Sequence, residues 1–147
     1  MAKEIAHTLN AEVVEITCRR FRLWPLGYLR AGFDSVRGKL PPVEVPSVDF
    51  ASYDLVLVGA PIWTSYPALP VRTFFSNAKE LGKQTGLFFT YEGHSPIEAA
   101  LEEVARLWPH EIKASVAINM KEEDLDVRSQ AIADFVSEVR KENPPVT

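Results

Sequence analysis

Between residues 54 and 139, short apolar runs alternate with segments of helical period, and this alternation limits the chain more than any other feature. Leu55-Val56-Leu57-Val58 is a continuous apolar run stopped by Gly59, the pattern of a strand buried on both faces of a parallel sheet. Pro70 then suits a first helical turn, where its missing N–H has no partner to lose. Val71, Phe74, Phe75 and Ala78 form the apolar stripe of that helix. Thr85–Thr90 reads as a second strand. Ser95, Pro96 and Glu98 supply an N-cap, a first-turn proline and a capping-box carboxylate, followed by an apolar stripe of Ile97, Leu101, Val104, Ala105 and Trp108. Lys113–Asn119 is another strand, and Leu125, Ile132, Phe135, Val136 and Val139 mark a closing helix. Parallel neighbours need crossovers, so this order predicts an α/β fold, a doubly wound parallel sheet with helices on both faces.

The beginning of the chain is less regular. Ala2, Ile5, Ala6 and Leu9 recur at helical spacing and predict a short amphipathic helix. Glu12–Thr17 follows as a β-branched strand. Residues 18–48 hold four prolines and three glycines and read as loop, with a partly helical excursion over 28–36. No repeat, low-complexity tract or internal linker interrupts the 147 residues, which read as one domain. The tail from Glu142 to Pro145 is expected to fray.

Composition narrows the function classes. The net charge is −4, with seven Lys/Arg against four Asp/Glu in the first forty residues and an acidic remainder, which argues against a nucleic-acid-binding domain. No apolar run approaches the ~20 residues of a membrane span, and no secretory hydrophobic stretch opens the chain. A single cysteine, Cys18, forms no internal disulfide, so a reducing cytoplasm is the expected compartment. His7, His94 and His110 lack ligand spacing, so no metal site is expected.

Ligands of open parallel sheets sit beyond the carboxyl ends of the strands. Two such ends carry aromatic rings, hydroxyl residues and adaptable backbone: Pro61, Ile62, Trp63, Thr64, Ser65 and Tyr66 after one strand, and Tyr91, Glu92, Gly93, His94 and Ser95 after the next. A planar heteroaromatic ligand needs rings to stack on and main-chain groups for its polar edge. The alternative reading of Trp63 and Tyr66 is that they cap the core.

The stretch Tyr53-Asp54-Leu55-Val56-Leu57-Val58-Gly59-Ala60-Pro61-Ile62-Trp63, with Pro67-Ala68-Leu69-Pro70-Val71-Arg72-Thr73-Phe74 behind it, resembles the third strand, flavin loop and third helix of flavodoxin-like proteins. Leu87-Phe88-Phe89-Thr90-Tyr91-Glu92-Gly93 is similar to the fourth strand and second flavin loop of that family, and Gly27–Phe33 resembles a segment of a bacterial branch. The resemblance implies strand order 2-1-3-4-5 and non-covalent FMN. It places Pro61, Ile62, Trp63 and Thr64 on one side of the isoalloxazine and Thr90, Tyr91, Glu92 and Gly93 on the other, with Trp63 or Tyr66 and Tyr91 stacking. It further implies electron transfer with a redox partner protein or a small-molecule acceptor. The alternatives are a flavin-dependent NAD(P)H:quinone-type reductase and a flavin-free association module whose exposed strand edges favour a homodimer. His94 is a proton donor near the flavin edge or an exposed turn residue.

One departure matters. The family's first strand and its Ser/Thr/Gly-rich phosphate loop have no counterpart, because the chain starts inside what resembles the helix after that loop. Four strands are visible, in the order 2-(1)-3-4-5 with strand 1 absent. Three arrangements relieve the resulting gap: strand 12–17 slides over to pair with strand 54–59, a partner chain fills it, or a segment upstream of Met1 supplies the strand. The last explains most with least. Arg19, Arg20 and Arg22 offer a substitute anion site or simply a solvated basic loop.

Overall fold

The computed structural model describes residues 1–21, 33–34, 37–78, 80–82, 84–93, 97–121 and 125–142. Among the described residues, the helices of eight residues or more are α1 (Ala2–Leu9), α2 (Leu69–Asn77), α3 (Ile97–Leu107) and α4 (Leu125–Glu142). Four strands are β1 (Leu55–Trp63), β2 (Tyr66–Pro67), β3 (Gln84–Tyr91) and β4 (Ile112–Asn119). They form one sheet in the order β2-β1-β3-β4. β1, β3 and β4 run parallel, and only the two-residue β2 is antiparallel. The capping residues Ser95 and Pro96, nearly all of 27–33 and the tail beyond Glu142 lie outside the described residues.

Each face of the sheet has its own core. Val58, Ala60, Leu87 and Phe89 pack under α2 and α3 with Val71, Phe74, Phe75, Ala100 and Val104. Ala114 and Ile118 pack on the other face with Ile5 of α1 and Ile132, Phe135, Val136 and Val139 of α4. The rows across the sheet alternate in size. Phe89 lies between Ala60 and Ala117, and Phe88 lies between Gly59 and Val116. A Cβ on Gly59 would meet the Phe88 ring at 2.0 Å, so glycine makes room for that ring. Leu125 is 67% exposed and Ala105 is exposed, so neither joins the stripe its spacing suggested.

Two elements differ from the sequence reading. β1 does not stop at Gly59 but continues through Trp63, because Ala60 and Pro61 still pair with Phe89 and Thr90. Pro61 has no N–H to give, yet its carbonyl accepts from the Ala68 N–H at 2.9 Å. The chain then reverses through Thr64 (φ 49°) and Ser65 (φ 73°) into β2, the left-handed pair of a tight hairpin turn.

Residues 12–17, read as a strand, have a single bridge, Thr17 with Glu44, and no ladder. Their β-branched pattern favours extended chain, but a strand also needs an edge at pairing distance. The edge facing them is that of β1 over Leu55–Pro61, which among the described residues pairs only with β3. Between the two lies a cavity of about 1380 Å³, lined by Ile5 and Leu9 of α1, residues 11–16, and β1. It is a half-open cleft that separates residues 11–16 from the edge of β1.

Gly82, before β3, has φ +66°, and a Cβ there would lie 2.7 Å from the Tyr53 carbonyl oxygen. Gly38 has φ +62° with open space around it. Gly38→Ala should therefore cost only the left-handed strain of about 1 kcal/mol. Gly82→Ala adds a backbone clash and should cost clearly more, which paired urea-unfolding curves will show.

Candidate functional site

The carboxyl ends of β1 and β3 adjoin, because Pro61 is paired with Thr90. The hairpin 61–67 and the turn 90–93 therefore share one rim of the sheet. At that rim Ile62 is buried, Trp63 is half-buried, Thr64 is exposed and Tyr66 is 41% exposed. Trp63 packs edge-to-face on Phe21, with ring centroids 6.2 Å apart. The Thr64 hydroxyl donates to the Trp63 carbonyl at 2.7 Å. On the β3 side Thr90 and Tyr91 are half-buried and Glu92 and Gly93 exposed. The Tyr91 carbonyl accepts from the Met120 N–H at 2.7 Å, and Asn119 Oδ1 accepts from the Lys121 N–H at 3.0 Å. Glu92 pairs with Lys121 at 3.4 Å in a largely exposed contact, and such pairs are worth little. Gly93 has φ +74° with nothing within 4 Å of an added Cβ, so this part of the rim is open.

The paired rings expected to clamp a guest do not face each other. Strand residues alternate faces. Tyr91 lies against the core beneath α2 and α3, one residue beyond Thr90 and level with Ile62. Trp63 shares its face with Pro61 and Gly59, on the side of the cavity. Trp63 and Tyr66, adjacent across the hairpin, are the aromatic residues at the outer rim.

Beneath the hairpin lies a charge cluster that the sequence reading missed. Arg72 of α2 is 6% exposed and Glu103 of α3 is 8% exposed. Arg72 Nε donates to Glu103 Oε1 at 2.8 Å, and Arg106 donates to both carboxylate oxygens at 2.8 and 2.9 Å. The hydrogen bonds from Arg106 and then from Arg72 hold the Glu103 carboxyl below its ordinary range, against the opposing effect of burial. The Arg72 guanidinium also lies 5.5 Å from the Tyr66 ring centroid, so the cluster supports the exposed ring from below. Arg72 and Glu103 stand 31 positions apart on different helices, and only their unusual burial reveals them.

Of the three arginines expected to offer a substitute anion site, two are paired with carboxylates. Arg19 pairs with Glu44 at 2.6 Å, and Arg20 holds the buried Asp34 through two contacts at 2.6 and 3.2 Å. Arg22 and His94 lie outside the described residues. Cys18 is half-buried, with its sulfur 3.6 Å from the Pro42 carbonyl oxygen. Among the described residues no group of three His, Cys, Asp or Glu could hold a metal ion, and no helix is long and apolar enough to cross a membrane.

Among solved structures, three resemble this fold. A flavoprotein from Lactobacillus acidophilus NCFM, determined in complex with FMN, is 21% identical, with a TM-score of 0.64 over 87% of this chain and 89% of that one. A candidate flavoprotein from Bacteroides uniformis ATCC 8492 is 20% identical, with a TM-score of 0.70 over 92% and 86%. Another, from Bacteroides eggerthii DSM 20697, is 15% identical, with a TM-score of 0.62 over 90% and 86%. No family model and no curated protein matches the sequence. At these identities the likeness carries the fold, which is the flavodoxin-like doubly wound α/β architecture. The expected adjacency of the strands at 54–59, 85–90 and 113–119 holds in β1, β3 and β4.

Proposed function

We propose that this protein is a flavoprotein that binds FMN non-covalently at the rim formed by β1, the hairpin and the end of β3, and that it acts in electron transfer. The observation that carries the reading is the Pro61–Thr90 register. It sets an exposed Tyr66, a half-buried Trp63 and an open, glycine-containing turn side by side at the carboxyl edge of a parallel sheet, the usual ligand position in such folds. The FMN complex of the Lactobacillus acidophilus protein, on the same fold, supports it.

The residues present fit the ring of the cofactor better than its phosphate. Trp63 and Tyr66 would offer ring faces, while main-chain groups of Thr64 and of Thr90, Tyr91, Glu92 and Gly93 would meet the polar edge. Pro61 and Ile62 hold the hairpin in register. Among the described residues, Met1 caps α1 without a side-chain bond, and the Thr8 hydroxyl donates to the Glu4 carbonyl. Bound FMN supplies the redox chemistry; the protein's part is to position the ring and shield it from water. The Arg72–Glu103–Arg106 cluster keeps the hairpin and Tyr66 fixed.

Titration of the purified protein with FMN, followed by quenching of flavin fluorescence, tests this. Saturable binding is expected, and Trp63→Ala should weaken it at least about tenfold, equivalent to ~1.4 kcal/mol. A protein that takes up no FMN overturns the reading, and unchanged affinity in Trp63→Ala removes the indole from the site.

A further inference from the structure

Trp63 is the last residue of β1, just ahead of the left-handed turn at Thr64 and Ser65. The strand fixes its backbone, while the two side-chain torsions that aim the indole depend on what packs against the ring. Phe21 packs there. The two ring planes cross at 77° with centroids 6.2 Å apart, the edge-to-face geometry that aromatic pairs favour.

Phe21 closes the single helical turn Arg19–Phe21, whose backbone bond from the Phe21 N–H to the Cys18 carbonyl is long, at 3.4 Å. One turn held this way is weak by itself. The stronger hold comes from the neighbouring side chain. Arg20 Nε lies 2.6 Å from Asp34 Oδ2, and Nη2 lies 3.2 Å from Oδ1, a fork on a carboxylate that fixes direction as well as distance. Asp34 is 3% exposed, so loss of its arginine is costly. The chain that carries this carboxylate is anchored in turn. The Asp34 carbonyl accepts from the Lys39 N–H at 3.0 Å, and the Pro41 carbonyl accepts from the buried Thr73 hydroxyl of α2 at 2.8 Å. Thr17 and Glu44 exchange both backbone bonds, at 2.9 and 2.8 Å. A line of fixed contacts therefore runs from α2 to Asp34, then to Arg20, Phe21 and the indole.

We propose that Asp34, acting through Arg20 and Phe21, is a positioning residue for the Trp63 indole, and that this relay sets the plane against which a flavin stacks. The first part stands on the contacts alone; the second rests on the FMN reading above. A ring fixed before its guest arrives spares the cost of ordering it on binding.

The test is a double-mutant cycle on the full chain. Phe21→Leu keeps an apolar side chain without a ring, and Asp34→Asn keeps the size of the aspartate without its charge. Each protein gives two readouts: the Trp63 indole resonance of the flavin-free form, assigned by its disappearance in Trp63→Phe, and the FMN dissociation constant. Both single variants should move the resonance and weaken FMN binding about threefold to tenfold. The Asp34→Asn shift is the decisive one, since that variant keeps the Phe21 ring. The double variant should bind no worse than the weaker single variant, because both residues act through one contact. If Asp34→Asn fails to fold, Arg20→Lys, which keeps the charge but not the fork, replaces it in the cycle. A resonance unmoved in Asp34→Asn overturns the relay, and so do additive losses of affinity. Tighter FMN binding in Phe21→Leu overturns it by making Phe21 an obstruction, and moved resonances with unchanged affinity overturn the flavin part. A wild-type protein that takes up no FMN overturns the flavin reading and the use given to the ring here, while the flavin-free resonances still decide whether Asp34 and Phe21 position it.

Discussion

Glu103→Leu is expected to destabilise the protein by about 3–5 kcal/mol, because it leaves the Arg72 guanidinium buried between α2 and α3 without its counter-charge. Arg72→Met should cost less, since Glu103 keeps two hydrogen bonds from Arg106, whose side chain is 64% exposed. The double variant Arg72→Met/Glu103→Leu should recover much of the loss, as apolar replacement of both members of a buried pair commonly does. Urea midpoints for the four proteins close the cycle; equal costs for the two single variants would show that Arg106 contributes nothing. The pH dependence has a definite sign. The folded carboxyl titrates below its ordinary value of 4.5, so its contribution is complete above that value and is lost as the pH falls through the folded pKa. Glu103→Gln removes that dependence, and its stability should fall less steeply than that of the wild type as the solution is acidified.

Phe89→Ala should cost a similar amount, ~3–5 kcal/mol. Phe89 is fully buried, and its lateral neighbours in the sheet are Ala60 and Ala117. Its removal leaves a row of three small residues with nothing nearby on the strands to close the hole, so the upper part of that range is expected. Phe88→Ala, on the opposite face, removes the same atoms from a half-buried ring that borders the cavity. Less is lost there, because that ring already lacks neighbours on one side. Chemical denaturation of both variants tests the order, and an equal loss would mean that the cavity side is as densely packed as the other.

Much of this architecture was legible because its signals are local. The Leu55–Val58 run, Pro70 at a helix start and the stripe through Phe135, Val136 and Val139 each declare one element without knowledge of the rest. What was not legible depends on partners distant in sequence. Glu12–Thr17 has strand composition, but its state is decided by whether an edge is within reach. The Thr64-Ser65 turn lacks the Asn-Gly pair that usually marks a tight hairpin, so β1 read as ending four residues early. The candidate site shows the same division. Aromatic residues at the two strand ends were visible from spacing, whereas the opposite faces of Trp63 and Tyr91 follow from the ladder register. Glu103, beside Glu102 on an amphipathic helix, carries no local sign of burial, and it is α2 that brings Arg72 against it.

The bond from Arg140 to the Thr8 carbonyl joins the last helix to the first. Val139 and Arg140, which cover α1, lie more than a hundred residues after it in the chain. Contacts so distant in sequence form slowly, so the ordering of Ile5 is expected to be coupled to the docking of the final helix and to come late in folding.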